Sequence, residues 1–549
     1  MGQLRTRDHL SWLRGFLPPL VLVAIAVGWV APFLLARVRP GPSFSPAGPA
    51  AAQRQSAPAT SPRPPKRSTL DRHIDQILGM NEARRGFWGI EVAELPSGKL
   101  LYQRDAEHLY IPASNMKMFS TAAALEKLGP DYVFRTTVES DAAPNAQGQV
   151  AMLYLVGRGD PNLGSRTFPY KFNGSQQPAD KFLQELADQV SAHGVREVSG
   201  ALVADDSYFL WEPFALNWAA DDLQWGYGAP VTALAFNDNS LTLHVQPGAK
   251  AGDDARVRLE PLADYYHLQS RVETSAAGTE KRIFLERLPG TMQLDVWGQI
   301  PADAVEDTDA VAILNPPQVV AELFRRALEA RGIAVEGQTE VRHFTRLEAV
   351  SRPDPSPQTP PRVVLAEHTS PPLREAIKVI NKESQNLHAE MLLRTLGREV
   401  KNYGSLTVGL EALNAFAAQQ VGILPGETSF SDGSGLSRED LVAPHAVVKL
   451  LLYMARSPRF PVFFDSLPVS GIDGTLASRL AEDRVRGRIH AKTGTVEHVN
   501  SLSGYMDLPS GKRLAFSILA SNHPLKDKAG PATLDAITLE IYGWFSHRQ

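Results

Sequence analysis

The chain of 549 residues contains no cysteine. Disulfide bonds, cysteine-ligated zinc, iron–sulfur clusters and a thiol nucleophile are therefore excluded. The same absence removes the usual evidence about the redox compartment in which the protein works.

A strong charge of either sign is also missing. The chain has 56 Lys and Arg against 60 Asp and Glu, a formal net charge of −4. This balance provides no global field that would recruit nucleic acid, so no nucleic-acid partner is expected. With 43% hydrophobic and 21% charged residues, the chain is neither disordered nor a polytopic membrane protein. Its length predicts about three to four domains.

Long hydrophobic runs are scarce, and the one that stands out is the uncharged stretch 15–36, GFLPPLVLVAIAVGWVAPFLLA. As a helix it is long enough to cross about 30 Å of hydrocarbon. Arginines in residues 1–14 favour a cytoplasmic tail followed by a transmembrane anchor; a cleaved signal peptide is the alternative. Residues 37–67 are rich in Pro, Ala and Ser and predict an extended linker. The body of the chain is therefore expected outside the cytoplasmic membrane.

Strand patterns at both ends of the body predict one sheet. Phe87–Leu95 and Lys99–Gln103 surround the turn Pro96-Ser97-Gly98, and two further β-prone runs lie at His490–Asp507 and Lys512–Ala520. Helical apolar spacing follows residue 372 in several segments. We expect an α/β (α+β) catalytic domain at 68–137 and 346–549, with a sheet, flanking helices and an all-helical cluster.

Residues 138–345 differ from this pattern because short β-rich runs dominate there. They predict a large insertion of two subdomains. Two helical segments, at about 179–193 and 318–331, are each followed by Gly, an apolar residue and a strand. This echo indicates either two similar helix–strand units or ordinary αβ punctuation, the interpretation that we slightly favour.

Ser114-Asn115-Met116-Lys117 opens a helix that ends at Gly129-Pro130 and has a small, apolar middle. Such a helix is expected to be buried. Residues three apart share a helix face, so the lysine amine can reach the serine hydroxyl. A serine becomes a nucleophile when a base takes its proton, and lysine is such a base only if its pKa is lowered. Alone, this spacing is common on exposed helices.

Two further clusters contain groups that suit a binding cleft. Ser384-Gln385-Asn386 lies between two helices, where a hydroxyl and an amide can share a cleft or simply cap the second helix. Lys492-Thr493-Gly494-Thr495 lies in a predicted strand. There a lysine can hold an anionic group, and a glycine lets the backbone of a ligand come close to the strand edge. The alternative is a solvated lysine at a sheet edge.

The order Ser-x-x-Lys, Ser-x-Asn, Lys-Thr-Gly is closely related to the motif set of serine β-lactamases and penicillin-binding proteins. From about residue 69 to 549 the chain resembles the low-molecular-mass class C penicillin-binding proteins of the D-alanyl-D-alanine carboxypeptidase/endopeptidase type. Further matching runs are PASNMK at 112–117, NKESQNLHAE at 381–390, DGSGLSR at 432–438, GIDGTL at 471–476, GRGDP at 157–161 and DDSYF at 205–209. Gln385, His388 and Arg158 stand where this family often has other residues.

The resemblance implies a serine β-lactamase/DD-peptidase-like fold and a role for each motif residue. Ser114 would attack the carbonyl of the penultimate D-Ala in a peptidoglycan stem peptide, and Lys117 would accept its proton. Ser384 would relay a proton to the leaving amine, and Asn386 would hold the substrate amide. The resemblance further implies that Lys492 and Thr493 bind the terminal carboxylate. It places the oxyanion hole at the backbone N–H groups of Ser114 and Thr495, beside Gly494.

The resemblance also implies the partners and the alternatives. Peptidoglycan stem peptides and cross-links would be the substrates, and β-lactams would be covalent inhibitors. No cofactor or metal is expected, and the oligomeric state is not predicted. The location would be the periplasmic or extracytoplasmic side of the cell envelope. A β-lactamase or esterase on the same scaffold, or a catalytically idle cell-wall-binding protein, are the other hypotheses.

Overall fold

The computed structural model describes residues 68–80, 82–288, 290–351, 361–526 and 528–547. The predicted cytoplasmic tail, apolar segment 15–36 and linker 37–67 lie outside the described residues. Among the helices that the structure does describe, none combines the length and the apolar character that a membrane crossing requires.

A five-stranded antiparallel sheet joins the two ends of the body, as the strand patterns predicted. Strand β1 pairs with β21 from Phe87↔Ser521 to Glu94↔Leu514. The order is β19-β20-β21-β1-β2, which leaves β19 at one edge. The strands are β1 Phe87–Glu94, β2 Lys99–Arg104, β19 Ile489–Val496, β20 Val499–Asp507 and β21 Arg513–Ser521.

Two terminal helices cover one face of this sheet. Helix α1, Thr69–Gly79, begins at a capping box in which the Ser68 side chain accepts from the Asp71 N–H. Helix α11, Ala529–Ser546, packs with it, and apolar side chains of both helices share a buried cluster with the sheet.

The opposite face of the sheet carries the helical cluster. Helix α2, Met116–Leu128, is buried along most of its length because its central Ala122, Ala123 and Ala124 let neighbours approach on all sides. The other helices of this layer are α6 Leu373–Lys382, α7 Asn386–Lys401, α8 Leu406–Phe416, α9 Pro444–Arg456 and α10 Phe460–Ser466. A two-stranded ribbon, β17 Thr428–Ser429 with β18 Leu441–Val442, flanks them.

The region between α2 and α6 forms separate sheets with helices of its own. A five-stranded sheet has the order β15-β7-β5-β3-β16, and three smaller sheets have the orders β14-β6-β4, β13-β8-β9 and β10-β12-β11. The strands are β3 Arg135–Ser140, β4 Gln149–Val150, β5 Leu153–Val156, β6 Glu197–Val198, β7 Leu202–Leu210, β8 Ser240–Gln246, β9 Arg256–Glu260, β10 His267–Ser275, β11 Arg282–Arg287, β12 Gln293–Pro301, β13 Asp307–Ala312, β14 Ala334–Val335, β15 Thr339–Phe344 and β16 Val363–Thr369. The helices are α3 Lys181–Ala192, α4 Pro316–Glu329 and α5 Arg346–Ser351.

The echo seen in the sequence corresponds to neighbouring units. Strand β6 pairs in parallel with β14, and β7 pairs in parallel with β15. Strands β6 and β7 follow helix α3, and strands β14 and β15 follow helix α4. The two helix–strand units therefore lie side by side. This arrangement favours the interpretation that they are two similar units.

We propose that the insertion, expected at 138–345, runs from β3 to β16. These two strands pair with each other along the edge of the five-stranded insertion sheet, so both belong to that layer. The two smaller three-stranded sheets around β8 and β12 support a second subdomain.

Candidate active site

Ser114 lies at the start of the buried helix, within a short 3₁₀ turn, Ala113–Asn115, that leads into α2. The turn is held by Ser501 of β20, which donates to the Pro112 carbonyl at 2.7 Å and accepts from the Asn115 amide. The turn also requires a left-handed Ala113, with φ +47°. The hydroxyl is thereby fixed at the end of the helix where backbone N–H groups favour negative charge.

Lys117 reaches three oxygens from a fully buried position. Its Nζ lies 2.8 Å from Ser114 Oγ, 2.6 Å from Asn386 Oδ1 and 2.7 Å from the Ser434 carbonyl. A neutral amine has two N–H donors and one lone pair. The two carbonyl oxygens can take the two N–H groups, which leaves the lone pair for the serine hydroxyl. The geometry therefore suits a base.

The electrostatics of Lys117 point the same way. Burial lowers the pKa of its amine to about 7, and the carboxylates of Asp432, Glu390 and Asp440 only partly oppose that shift. A general base works best when its pKa is close to the operating pH. Because none of the described charged side chains is in direct contact with it, the amine can exist without its proton.

The Ser434 carbonyl belongs to the loop 432–438, DGSGLSR, one of the runs that resemble the family. Asp432 accepts from the N–H groups of Ser434, Gly435 and Ser437 at 3.0, 2.6 and 2.7 Å. A Cβ on Gly435 would stand 1.9 Å from the Ala113 carbonyl, so only glycine fits there. The loop thus holds the Ser434 carbonyl oxygen in contact with Lys117. Because every residue has a backbone carbonyl, the sequence could not indicate this contact.

The second motif sits in a strained turn between α6 and α7. Ser384 has φ +63°, a conformation that costs a non-glycine residue on the order of 1–3 kcal/mol. The interpretation that Ser384 caps α7 is wrong, because Gln385 is the N-cap and accepts from the Leu387 N–H. The Ser384 hydroxyl is therefore free for another partner.

Asn386 connects the base to the insertion. While its Oδ1 accepts from Lys117, its Nδ2 donates to the Tyr227 carbonyl at 2.8 Å. Tyr227 belongs to the insertion and was not among the expected site residues. A backbone carbonyl that is distant in sequence leaves no signal, and only the folded chain identifies it.

Lys492 is also fully buried, so the interpretation as a solvated edge lysine is wrong. Its Nζ donates to Ser384 Oγ at 2.9 Å and to the Thr493 carbonyl at 2.8 Å. Burial, followed by the nearby Lys117 amine, lowers the pKa of Lys492 well below its usual range. An arriving carboxylate would raise that pKa again.

The rest of the third motif forms the open edge of β19. Thr493 donates to Thr475 Oγ1 at 2.7 Å, and Thr495 Oγ1 accepts from Asn500 at 3.0 Å. The Ala491 N–H points away from β20, to the Pro468 carbonyl. Because N–H directions alternate along a strand, those of Thr493 and Thr495 face the same open edge.

Gly494 allows this edge to approach the nucleophile turn. A Cβ at this position would meet Ser501 Oγ at 2.2 Å and the Ser114 nitrogen at 2.9 Å. The structure therefore brings Ser114, Lys117, Ser384, Asn386 and the 492–495 strand together in one group of contacts, although they are far apart in the sequence.

Comparisons with known proteins identify the family of the chain. A family model described as the D-Ala-D-Ala carboxypeptidase 3 (S13) family matches residues 70–540. A D-alanyl-D-alanine carboxypeptidase of Actinomadura sp. (strain R39) is 36% identical over 87% of this chain and 85% of its own length. The D-alanyl-D-alanine carboxypeptidase DacB of Haemophilus influenzae is 24% identical over 78% of this chain and 84% of its own length.

The fold is similar as well. The crystal structure of penicillin binding protein 4 from Haemophilus influenzae matches with a TM-score of 0.71 at 22% identity, covering 86% of this chain and 99% of that one. The match confirms the predicted penicillin-binding-protein fold. The family model spans most of the body and the sequence identity extends over the same region, so the chain belongs to the D-Ala-D-Ala carboxypeptidase 3 (S13) family of serine peptidases.

Proposed function

We propose that this D-alanyl-D-alanine carboxypeptidase acts on peptidoglycan stem peptides through an acyl-enzyme on Ser114. The observation that carries the proposal is the 2.8 Å contact between a buried lysine amine and the Ser114 hydroxyl, with two carbonyl oxygens to take the amine's N–H groups. A serine in such a contact loses its proton as its oxygen bonds to carbon.

Acylation starts when Ser114 Oγ attacks the carbonyl carbon of the penultimate D-Ala, and its proton passes to Lys117 Nζ. The negative charge that develops on the carbonyl oxygen is stabilised by the Ser114 and Thr495 N–H groups. Ser384 passes its hydroxyl proton to the leaving amine as the C–N bond breaks, and a proton from Lys492 replaces it. Water then attacks the ester, its proton returns through Ser384 to Lys492, and Lys117 gives its proton back to Ser114 Oγ as the ester C–O bond breaks.

Recognition of the leaving residue belongs to the β19 edge. Lys492 and Thr493 bind the terminal carboxylate, and Asn386 holds the substrate amide. The negative charge of the carboxylate favours the protonated form of the buried Lys492 amine. The same acylation opens a cross-link when the leaving amine belongs to a neighbouring stem peptide.

Location and inhibition follow from the substrate. Peptidoglycan lies outside the cytoplasmic membrane, so we place the body on the extracytoplasmic side, with residues 15–36 as its membrane anchor on sequence grounds alone. A β-lactam complex has been solved for penicillin binding protein 4 of Haemophilus influenzae, which has a similar fold. We expect β-lactams to acylate Ser114 here.

The test is covalent labelling of the purified body with a fluorescent penicillin. We expect a labelled band in the native protein and in Ser97→Ala, a control in the β1–β2 turn, and none in Ser114→Ala. Hydrolysis of uncross-linked and cross-linked muropeptides should follow the same pattern. Labelling that survives in Ser114→Ala would contradict the nucleophile, and rapid release of penicilloic acid would favour a β-lactamase.

A further inference from the structure

Two strained turns face each other where the insertion meets the second motif. In the insertion, Asn237, Asp238 and Asn239 have φ of +47°, +58° and +51° in succession. In the catalytic domain, Ser384 has φ +63°. Non-glycine residues keep such conformations only where the surrounding structure determines them, and they concentrate at functional sites.

One guanidinium joins the two turns. Arg166 Nη1 and Nη2 donate to the two oxygens of Asp238, each at 2.6 Å. Its Nε and Nη2 donate to Glu383 Oε2 at 3.0 and 2.6 Å. Glu383 directly precedes Ser384 in the chain. A planar fork that binds two carboxylates fixes direction as well as distance, which a lysine could not do.

Asp238 also contacts His388, which follows the second motif in the chain. Its Oδ1 lies 2.9 Å from Nε2 of His388, whose ring is fully buried. Burial alone would raise the pKa of the Asp238 carboxyl, but Arg166 and His388 hold that pKa below its usual range, so the group stays an anion. The pair thus holds residues 383 and 388, and both Ser384 and Asn386 lie between these two points.

The loop that carries Arg166 is itself attached to the helix before the motif. The Tyr170 N–H donates to Glu375 of α6 at 2.6 Å. Lys382, at the end of α6, is held from the other side by Asp473 at 2.7 Å. The turn that contains Ser384 is therefore fixed between the insertion and the 471–476 segment.

We propose that Arg166, with Asp238, is a positioning residue that holds Ser384 in its strained conformation by gripping Glu383 and His388. The inference rests on the proposed role of Ser384 in acylation. It assigns the insertion a part in the chemistry: the insertion supplies the ion pair that keeps the proton-relay hydroxyl in place.

A double-mutant cycle on the second-order rate constant for acylation by fluorescent penicillin tests this inference. Arg166→Ala should lower that constant by about 10²-fold, the scale of a misplaced reacting group. In the Ser384→Ala background the same change should lower it by less than about twofold, within the scatter of additive effects. If Arg166→Ala only disturbed the fold, it would lower the acylation rate constant by the same factor in both backgrounds.

The matched control is Arg331→Ala. Arg331 is also a half-buried insertion arginine in an ion pair, 2.6 Å from Asp188, but it follows α4 and its side chain contacts α3. We expect the control to change the melting temperature without changing acylation. If Arg166→Ala does not fold, Arg166→Lys, which keeps the charge but not the fork, takes its place with the same expected outcomes.

Four results would overturn the inference or its premise. Equal losses from Arg166→Ala in the two backgrounds, or none in the native background, overturn the positioning role alone. A native rate in Ser384→Ala overturns the proposed role of Ser384 as well. If Ser384→Ala falls to the rate of Ser114→Ala, the cycle moves to Arg166→Ala with Glu383→Gln. The double variant should then lose no more than Arg166→Ala, and a further loss overturns the proposal.

Discussion

At the scale of single residues, the site depends on two lysine amines taken fully out of water. The side chains of the three motifs could be predicted from the sequence, because Ser-x-x-Lys places two groups on one helix face and the motif order is specific. The contact between Lys117 and the Ser434 carbonyl oxygen could not be predicted, since a backbone carbonyl has no sequence signature. Neither could the burial of Lys492, since only the fold covers it.

The pH dependence of acylation should report the Lys117 amine. Its pKa is lowered to about 7, so below that pH the amine carries a proton and cannot accept another. We expect the acylation rate constant to fall about tenfold per unit below pH 7 and to level off above it. Stopped-flow labelling with a fluorescent penicillin measures this profile.

The matched variant for that profile is Lys117→Ala. It should acylate about 10²–10⁴-fold more slowly and lose the titration near neutral pH, because the base has been removed. A profile that keeps its shape in this variant, or a native rate without pH dependence, would assign the proton transfer to another group.

Lys492→Ala should act on one class of substrate. A charge-assisted hydrogen bond contributes about 1.5–3 kcal/mol, so kcat/KM for peptides with a free terminal carboxylate should fall about 10–100-fold. Peptides with an amidated terminus should be affected much less. Steady-state kinetics on the paired peptides make the comparison, with Lys449→Ala, whose partner is Glu427, as the control. Equal losses on both peptides would refute carboxylate recognition.

At the scale of elements, the site is the meeting point of a buried helix end and the edge strand β19 of the sheet. The strands, the β1–β2 turn and most helices could be predicted from alternation, turn residues and apolar spacing. The 3₁₀ turn before α2 could not, because it depends on contacts between Ser501, Pro112 and Asn115 that are distant in sequence. The short helix α10 was also missed, since one helical turn or two gives little periodicity.

Gly494→Ala should separate the two elements. The added Cβ would clash with Ser501 Oγ and crowd the Ser114 nitrogen, so β19 must move away from the nucleophile turn. We expect acylation to fall about 10²-fold or more, with the protein still folded. Gly79→Ala is the control, because none of the described atoms lies within 4 Å of its new Cβ. Equal activity in the two variants would show that the close approach is dispensable.

At the scale of the whole molecule, the insertion is part of the active domain's core. Phe209, Trp218 and Ala233 of the insertion share a buried cluster with Leu387 and Met391 of α7. The sequence predicted that an insertion exists but not where it docks, because docking depends on pairs of apolar residues that are far apart along the chain.

The shared core predicts one unfolding transition for residues 68–547. Calorimetry of the purified body should give a single peak, because exposing the insertion would also uncover α7. Met391→Ala should lower the free energy of unfolding by about 2–5 kcal/mol and still leave one peak. Two separate transitions would show that the insertion folds independently.

The orientation of the Asn386 amide has a consequence for the ageing of the enzyme. Its oxygen faces Lys117 and its nitrogen faces the Tyr227 carbonyl, so the two contacts fix the orientation of the amide. Spontaneous hydrolysis of that amide would leave the side chain almost the same shape and turn it into an anion. Lys117 would then keep its proton as a counter-ion to this anion. Ser114 would lose its base and its reactivity, although the fold would not change.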